Sequence, residues 1–408
     1  MPLLDRTRPL PTTAPPPEPR PVPALWLALL ATPLAASANS PVLILDDIAD
    51  SFGVRTATAT WLVTAFAWAV AVGTPLMAAL LRRRGLRVVL RLSATLVLTG
   101  TAVVTAPWLP LAMTGRAVQA LGGAGLVTAA MSLAGTVRRM GVITAGFGMF
   151  GAVGPLLGSL IADTTSWRLS LAVGAVALLA LPAVTRRADP DAPRQTTPFD
   201  ARGAALLVLL ATSLVLVPRA SLPATTAALT TVILLALHIR TRPAGFVPLS
   251  LLRTRTFLLS TLLACAFSTS YFTLLFTVPQ LLHDRTDWST STIGVGQLGA
   301  LLTGSALAMT LAVVANRLGH PRVLAILLTT GALAPLTALL TPWPSLLLPV
   351  ATLAVLTTSA GQATLGVLAV RSAPPPQRPT AIGLFNLGYQ LGGAFGPALA
   401  ALAVLGPA

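Results

Sequence analysis

Arg116 and Gln119 stand three residues apart inside an apolar run at 109–136, with Gly122, Gly123 and Gly125 close behind. Three residues is about one helical turn, so a helix through this run presents both side chains on one face. A guanidinium inside an apolar span is expensive and nearly always faces a partner, an aqueous cavity or both. The structural reading has Arg116 bonding helix carbonyls and Gln119; the functional reading has it working as a charge at a cavity. Acids are scarce: the only Glu is Glu18, and every Asp falls in a loop or at the end of an apolar run. No carboxylate is therefore expected in the middle of a span. Asp46 and Asp47, at the end of the first run, come nearest, although acids capping a helix end in an outer loop explain them better. His238, at the end of one run, and His283 and His320, in loops, can titrate near neutrality. None of the three has ligand spacing with another His or Cys. The sequence shows no phosphate-cradling loop, nucleophile–base pair or metal cluster, so enzymatic chemistry and nucleotide-driven pumping are disfavoured. No metal and no cofactor is expected.

Two groups of residues occur twice, roughly 240 residues apart. Arg82-Arg83-Arg84-Gly85-Leu86-Arg87 returns in weaker form as Arg317-Leu318-Gly319-His320-Pro321-Arg322. Gly151-Ala152-Val153-Gly154-Pro155-Leu156-Leu157 returns as Gly393-Ala394-Phe395-Gly396-Pro397-Ala398-Leu399. Gln119 and Gln362 fall between them in the same order. Apolar spans that repeat in this way describe two related halves with a site between them near the membrane midplane.

The chain of 408 residues is 54% hydrophobic and 9% charged, with a mean hydropathy of +0.81. Soluble domains carry about 25% charged residues, so the chain reads as a polytopic membrane protein with the lipid bilayer as its solvent. A formal net charge of +16 raises a nucleic-acid reading, and the placement of the charges rejects it. All the basic side chains are Arg, and most lie in segments that alternate with Arg-poor ones, which is the positive-inside pattern. Residues 1–23 are Pro-rich and read as a disordered tail, with a proline-rich ligand as the alternative. The single Cys265 excludes an intramolecular disulfide.

About 20 apolar residues cross a bilayer as a helix, and thirteen segments qualify. Six lie at 24–45, 57–80, 88–106, 109–136, 142–162 and 167–185. Two follow at 202–218 and 223–239, and five at 256–281, 291–315, 322–341, 345–370 and 379–405. The predicted fold class is therefore all-α, a two-half helical bundle of about 13 transmembrane helices. Its expected parts are the tail (1–23), an N-terminal six-helix half (24–185), a loop with two extra central helices (186–255) and a C-terminal half of five helices (256–408). The Arg-rich loops fall on one side with the N-terminus, which predicts a cytoplasmic N-terminus, an external C-terminus and a multi-pass location in the cell membrane. The repeat offset carries Trp167 past Ala408, so the counterpart of the sixth span is expected to be missing.

These motifs resemble the major facilitator superfamily, and within it the fourteen-span drug:proton antiporters of bacterial membranes. Ala78-Ala79-Leu80-Leu81-Arg82-Arg83-Arg84-Gly85-Leu86-Arg87 occupies the place of the family's loop after span two. Arg116 and Gln119 match R-x-x-Q in span four, and Gly154, Pro155 and Gly158 match the antiporter G-P-x-x-G in span five. Phe199-Asp200-Ala201-Arg202-Gly203 and Pro248-Leu249 through Phe257 look like the flanks of the two extra spans. Arg82 replaces the loop aspartate that helps latch one conformation, and Ser37 aligns with the family's span-one aspartate.

The resemblance implies an efflux permease for small amphipathic compounds, working by alternating access as a monomer and coupled to protons. Two readings stand beside it: an uncoupled facilitator, or a non-transporting remnant with a regulatory role. Arg116, Gln119, Gly154, Pro155, Gly158, Arg83, Gly85 and Arg87 are the expected coupling and gating residues. Asn39, Trp61, Trp68, Phe150, Tyr271, Gln362, Asn386, Tyr389 and Gln390 are the expected substrate contacts, since aromatics and amides with few charges suit an amphipathic solute. Trp108, Trp288 and Trp343, at span ends, are expected interfacial anchors.

Overall fold

A computed structural model describes residues 22–134, 137–187, 199–218, 220–243, 245–374 and 377–403. The expected tail lies almost wholly outside the described residues, as do residues 188–198 of the central loop. Among the described residues the regular elements are helices, without a strand. Eleven are long and apolar enough to cross a membrane: α1 (Ala24–Leu43), α2 (Thr56–Arg84), α3 (Leu86–Val104), α4 (Leu109–Ala134), a stretch of α5 (Val137–Thr164), α6 (Trp167–Arg187), α8 (Ser221–Thr241), α9 (Arg255–Arg285), α10 (Thr290–Leu318), α11 (His320–Leu340) and α12 (Pro344–Arg371). The shorter apolar α7 (Ala201–Leu216) and the 26-residue α13 (Arg378–Ala403) occupy the two remaining positions read from the sequence. Polar groups and glycines dilute the hydropathy of α13.

The outward faces carry the apolar excess. On α8, Leu229, Ile233 and Leu237 are all more than half exposed at i, i+4 and i+8, a stripe that only hydrocarbon would solvate. Inward faces pack into separate cores. Leu27, Leu30, Leu90, Leu126 and Val184 meet in the first half, and Leu274, Val278, Leu282, Ala334 and Val350 in the second.

The sequence repeat has a backbone counterpart. Gly85, between α2 and α3, has φ 82° and ψ 171°, and Gly319, between α10 and α11, has φ 77° and ψ 157°. A side chain at either turn would be strained, which explains why glycine recurs there. The second repeat pair behaves alike. A Cβ on Gly154 would stand 2.9 Å from the Ala36 carbonyl oxygen of α1, and one on its counterpart Gly396 would stand 2.3 Å from the Phe272 Cβ of α9. Thus α5 lies against α1 as α13 lies against α9. Between the halves α13 packs on α2 and α10 on α5, and the repeat exchanges these two pairs.

Two helices depart from regular α geometry. Helix α1 breaks at Pro33 and ends in a 3-10 turn at Ser40–Leu43. Helix α6 is 3-10 over Leu171–Ala180, long for a geometry usually confined to three or four residues. Both irregular stretches border the buried polar cluster of the first half.

Candidate functional site

Three polar clusters emerge: one inside the first half, one between the halves and one at the Arg-rich end. Arg116 anchors the first. It is fully buried, one turn from Gln119 on α4. Its Nη1 donates to Gln119 Oε1 at 2.7 Å and to Ser37 Oγ at 3.1 Å, and Nη2 donates to the Ser37 carbonyl at 2.9 Å. The guanidinium carbon lies 4.1 Å from the centroid of the Phe66 ring, within cation–π range. Gln119 Nε2 donates to the Leu171 carbonyl and to Thr101 Oγ1, both at 2.9 Å. Arg116 Nε has no partner. Side chains or carbonyls of α1, α2, α4 and α6 thus converge on one cation, and α3 joins the cluster through Thr101 on Gln119.

Small residues allow this convergence. A Cβ on Gly115 would approach the Val104 nitrogen to 2.6 Å, and one on Gly122 the Ser93 carbonyl to 2.7 Å. Helices α3 and α4 therefore touch at backbone distance. The Leu171 carbonyl also receives Ser37 Oγ at 3.4 Å and opens the 3-10 stretch of α6. A cavity of about 10 Å³, the space of roughly one water, lies beside the cluster against Ser37, Phe66, Gln119 and Gly174. Among the described residues no carboxylate lies within ion-pair distance of Arg116. Ser37, at the position of the expected aspartate, is its direct neighbour instead.

The second cluster sits where the halves meet. Asn39, on α1 and 5% exposed, donates to the Gly151 carbonyl of α5 at 2.8 Å. Its amide lies beside the Tyr271 hydroxyl of α9. Tyr271 stacks edge-on with Phe272, centroids 4.8 Å apart. Across the interface Tyr389 of α13 shares a 3.1 Å hydrogen bond with Thr358 of α12. The two hydroxyls are close enough to interact electrostatically, and these are the only tyrosines in the chain. Asn386 and Gln390, one turn apart on α13, are half-buried. Among the described residues, the side-chain amides of these two and of the half-buried Gln362 have no hydrogen-bond partner.

The remaining expected contacts are elsewhere. The Trp68 indole donates to Thr212 Oγ1 of α7 at 3.0 Å, tying an extra helix to α2. Phe150 is 38% exposed. Trp61 is half-buried and has no polar or ring partner among the described residues. Trp108, Trp288 and Trp343 are exposed at helix ends.

At the Arg-rich end, Asp200 caps the N-terminus of α7 by accepting from the Gly203 amide at 2.9 Å. It also accepts from the Phe246 amide at 2.9 Å and pairs with His238 Nε2 at 2.8 Å. Burial pushes its carboxyl up, but the Phe246 and Gly203 amides and His238 outweigh this and hold it below the usual carboxylate range. The Arg83 guanidinium lies 5.2 Å from the centroid of Phe199, which meets Phe246 edge-on. The first motif's loop is thereby joined to the extra helices. Arg87 is exposed.

At the opposite, acidic end, Asp46 and Asp47 occupy the first turn of a short helix, Leu45–Phe52, where the helix dipole favours them. Asp46 accepts from Thr56 Oγ1 at 2.6 Å and, across the halves, from Gln280 of α9 at 3.5 Å. Burial, followed by Asp163, Asp46 and Asp50, raises the Asp47 carboxyl.

The Leu171 carbonyl, Thr101, Phe66, Thr358 and the Asp200–His238 pair were not anticipated as parts of sites. A carbonyl has no sequence signature. Asp200 did offer one, as the D-x-x-G of an N-cap.

No curated protein sequence matches the chain. Among solved structures, a peptide transporter POT in complex with sulfate superposes with a TM-score of 0.68 at 16% identity, covering 94% of this chain and 90% of that one. A mutant of peptide transporter POT in complex with sulfate gives a TM-score of 0.69 at 15% identity, covering 94% and 88%. At such identities the likeness concerns the fold. The sequence profile of the Major Facilitator Superfamily matches residues 25–397. With its helical halves, their repeated contacts and this match, the chain is a multi-pass membrane transporter that belongs to the Major Facilitator Superfamily.

Proposed function

We propose that this chain is an efflux permease that exports small amphipathic compounds from the cell by alternating access. The carrying observation is the cluster between the halves. Asn39 and the Gly151 carbonyl on one side face Tyr271 and Tyr389 on the other, and α13, which carries Tyr389, also carries the half-buried Asn386 and Gln390. Aromatic surface with a few neutral hydrogen-bonding groups suits an amphipathic solute. Export is supported by the Gly154-Pro155-x-x-Gly158 motif, whose glycines seal α5 against α1. A rocking motion of the halves would then pass the solute from the Arg-rich, cytoplasmic face to the acidic, external face.

Proton coupling is the expected drive, and one observation favours a second reading. The buried Arg116 has neutral partners, with Ser37 where a titratable acid is expected. A facilitator running on the solute's own gradient requires no such acid. Loading cells that produce the chain with a fluorescent amphipath, and collapsing the proton gradient with a protonophore, separates the two. Coupled export slows to the rate of cells lacking the chain, whereas facilitated export continues unchanged. Equal efflux from cells with and without the chain, before the protonophore is added, rejects the transport reading.

A further inference from the structure

The buried charge of the first half is uncompensated, and this bears on which solutes the protein accepts. Arginine stays protonated in proteins, so Arg116 carries a full positive charge in a region closed to solvent. Its hydrogen bonds go to Ser37 Oγ, the Ser37 carbonyl, Gln119 Oε1 and, at 3.5 Å, the Leu171 carbonyl, all neutral. Its Nε is unpaired. Every described Asp lies in a loop, on the short Leu45–Phe52 helix or in the last turn of a span. Nothing in the spans cancels the charge.

The charge also lies near the interface. Ser37, which touches the guanidinium, is two residues from Asn39, which lines the cluster between the halves. Two residues of helix advance about 3 Å along the axis and turn by about 200°, so Asn39 and Ser37 leave α1 on opposite sides, and a solute beside Asn39 and Tyr271 lies on the order of 10 Å from the cation. At that distance, with an effective dielectric of about 20, one unit charge biases a monovalent ion by more than tenfold, in opposite directions for the two signs.

We infer that the site between the halves takes amphipathic anions, with Arg116 as their countercharge, and rejects lipophilic cations of the same size. The inference deepens the transport reading by naming a substrate class, and it rests on that reading for the location of the site. The surface arginines, which give the chain its net +16, attract anions too, but salt screens them within a few ångströms at about 1 M. The field of Arg116 is shielded from salt by burial.

The test uses the full chain in lipid nanodiscs and two probes built on one dansyl fluorophore, one ending in a carboxylate and the other in a trimethylammonium group. Binding is read from the fluorescence gain over empty nanodiscs of the same lipid, at low salt and at about 1 M salt. The expected result is at least tenfold tighter binding of the carboxylate probe at both salt concentrations. In Gln119→Glu, which sets a carboxylate where the Gln119 amide now meets Nη1, the preference should fall by tenfold or more, and Ser37→Asp should act in the same direction. Equal binding of the two probes, tighter binding of the cation, binding of neither, a preference lost at high salt, or a preference unchanged in folded Gln119→Glu and Ser37→Asp proteins would each overturn the proposal. Flux of the carboxylate probe into proteoliposomes is scored separately. Selective binding without flux rejects the transport reading and leaves the charge selectivity standing.

Discussion

Arg116 sits at the junction of four helices, so its removal has a structural and a functional consequence. Arg116→Ala leaves Gln119 Oε1 and the face of Phe66 without their partner, and the Ser37 carbonyl with the Ser40 hydroxyl alone. Each orphaned buried acceptor costs about 1–3 kcal/mol, although removing the buried charge itself offsets part of this. The expected outcome is inserted protein with a lowered melting temperature and no gradient-driven efflux; undiminished efflux would remove Arg116 from the coupling machinery. Lys keeps the charge but lacks the planar fork that serves Ser37 and Gln119 together, so Arg116→Lys should retain only part of the flux. Asp200 gives a prediction in pH. Its carboxyl is held low in the fold, so the stability it contributes is present above the ordinary carboxylate range and disappears as pH falls through the lowered value. The melting temperature of Asp200→Asn should therefore lie below that of the parent at neutral pH, and the gap should close on acidification. A gap that widens in acid would contradict this. At this scale the sequence was partly legible. An Arg and a Gln one turn apart in an apolar run announce a buried pair, and the family resemblance drew attention to Ser37 by aligning it with an aspartate. Phe66 and the Leu171 carbonyl became visible only in three dimensions, because they reach Arg116 from other helices.

At the scale of elements, glycines decide which helices can touch. Gly158 of α5 and Gly396 of α13 lie against backbone or Cβ atoms of the neighbouring helix, whereas a Cβ on Gly299 would meet nothing within 4 Å. Ala favours a helix over Gly by about 1 kcal/mol, so Gly299→Ala should be neutral or slightly stabilising. Gly158→Ala must push α5 off Ser40, and Gly396→Ala must push α13 off Phe272. Overpacking of this kind costs about 1–3 kcal/mol, and both should lower the melting temperature measured by size-exclusion fluorescence on heating. A Gly158→Ala protein as stable as Gly299→Ala would show that the α1–α5 contact is not tight. The spans were legible because helix length and hydropathy are local properties of the chain. Less so were the break at Pro33 and the 3-10 stretch of α6. Pro33 marks a break without revealing that α1 resumes, and nothing in Leu171–Ala180 distinguishes a 3-10 run from an α-helix. Its geometry coincides with donors arriving from α1 and α4.

At the scale of the whole molecule, the repeat implies how the halves move. The α2–α13 and α5–α10 contacts are exchanged by the repeat, so a rotation that opens one end of the interface closes the other, as alternating access requires. At the acidic end the halves touch where Gln280 donates to Asp46, a contact that must break whenever the site opens on that side. Replacing the sole cysteine by Cys265→Ser and introducing Asp46→Cys with Gln280→Cys places two thiols across this seam. Oxidation of that protein should abolish flux of an amphipathic substrate, and reduction should restore it. Each single cysteine variant should transport regardless of oxidant. Because an exposed pair at this separation is worth no more than about 1 kcal/mol, the substitutions should leave the fold and the reduced-state flux nearly intact. Any loss on oxidation then reports the cross-link and not damage to the protein. Full transport by the cross-linked protein would mean that the acidic end stays closed throughout the cycle, which alternating access by these two halves does not permit.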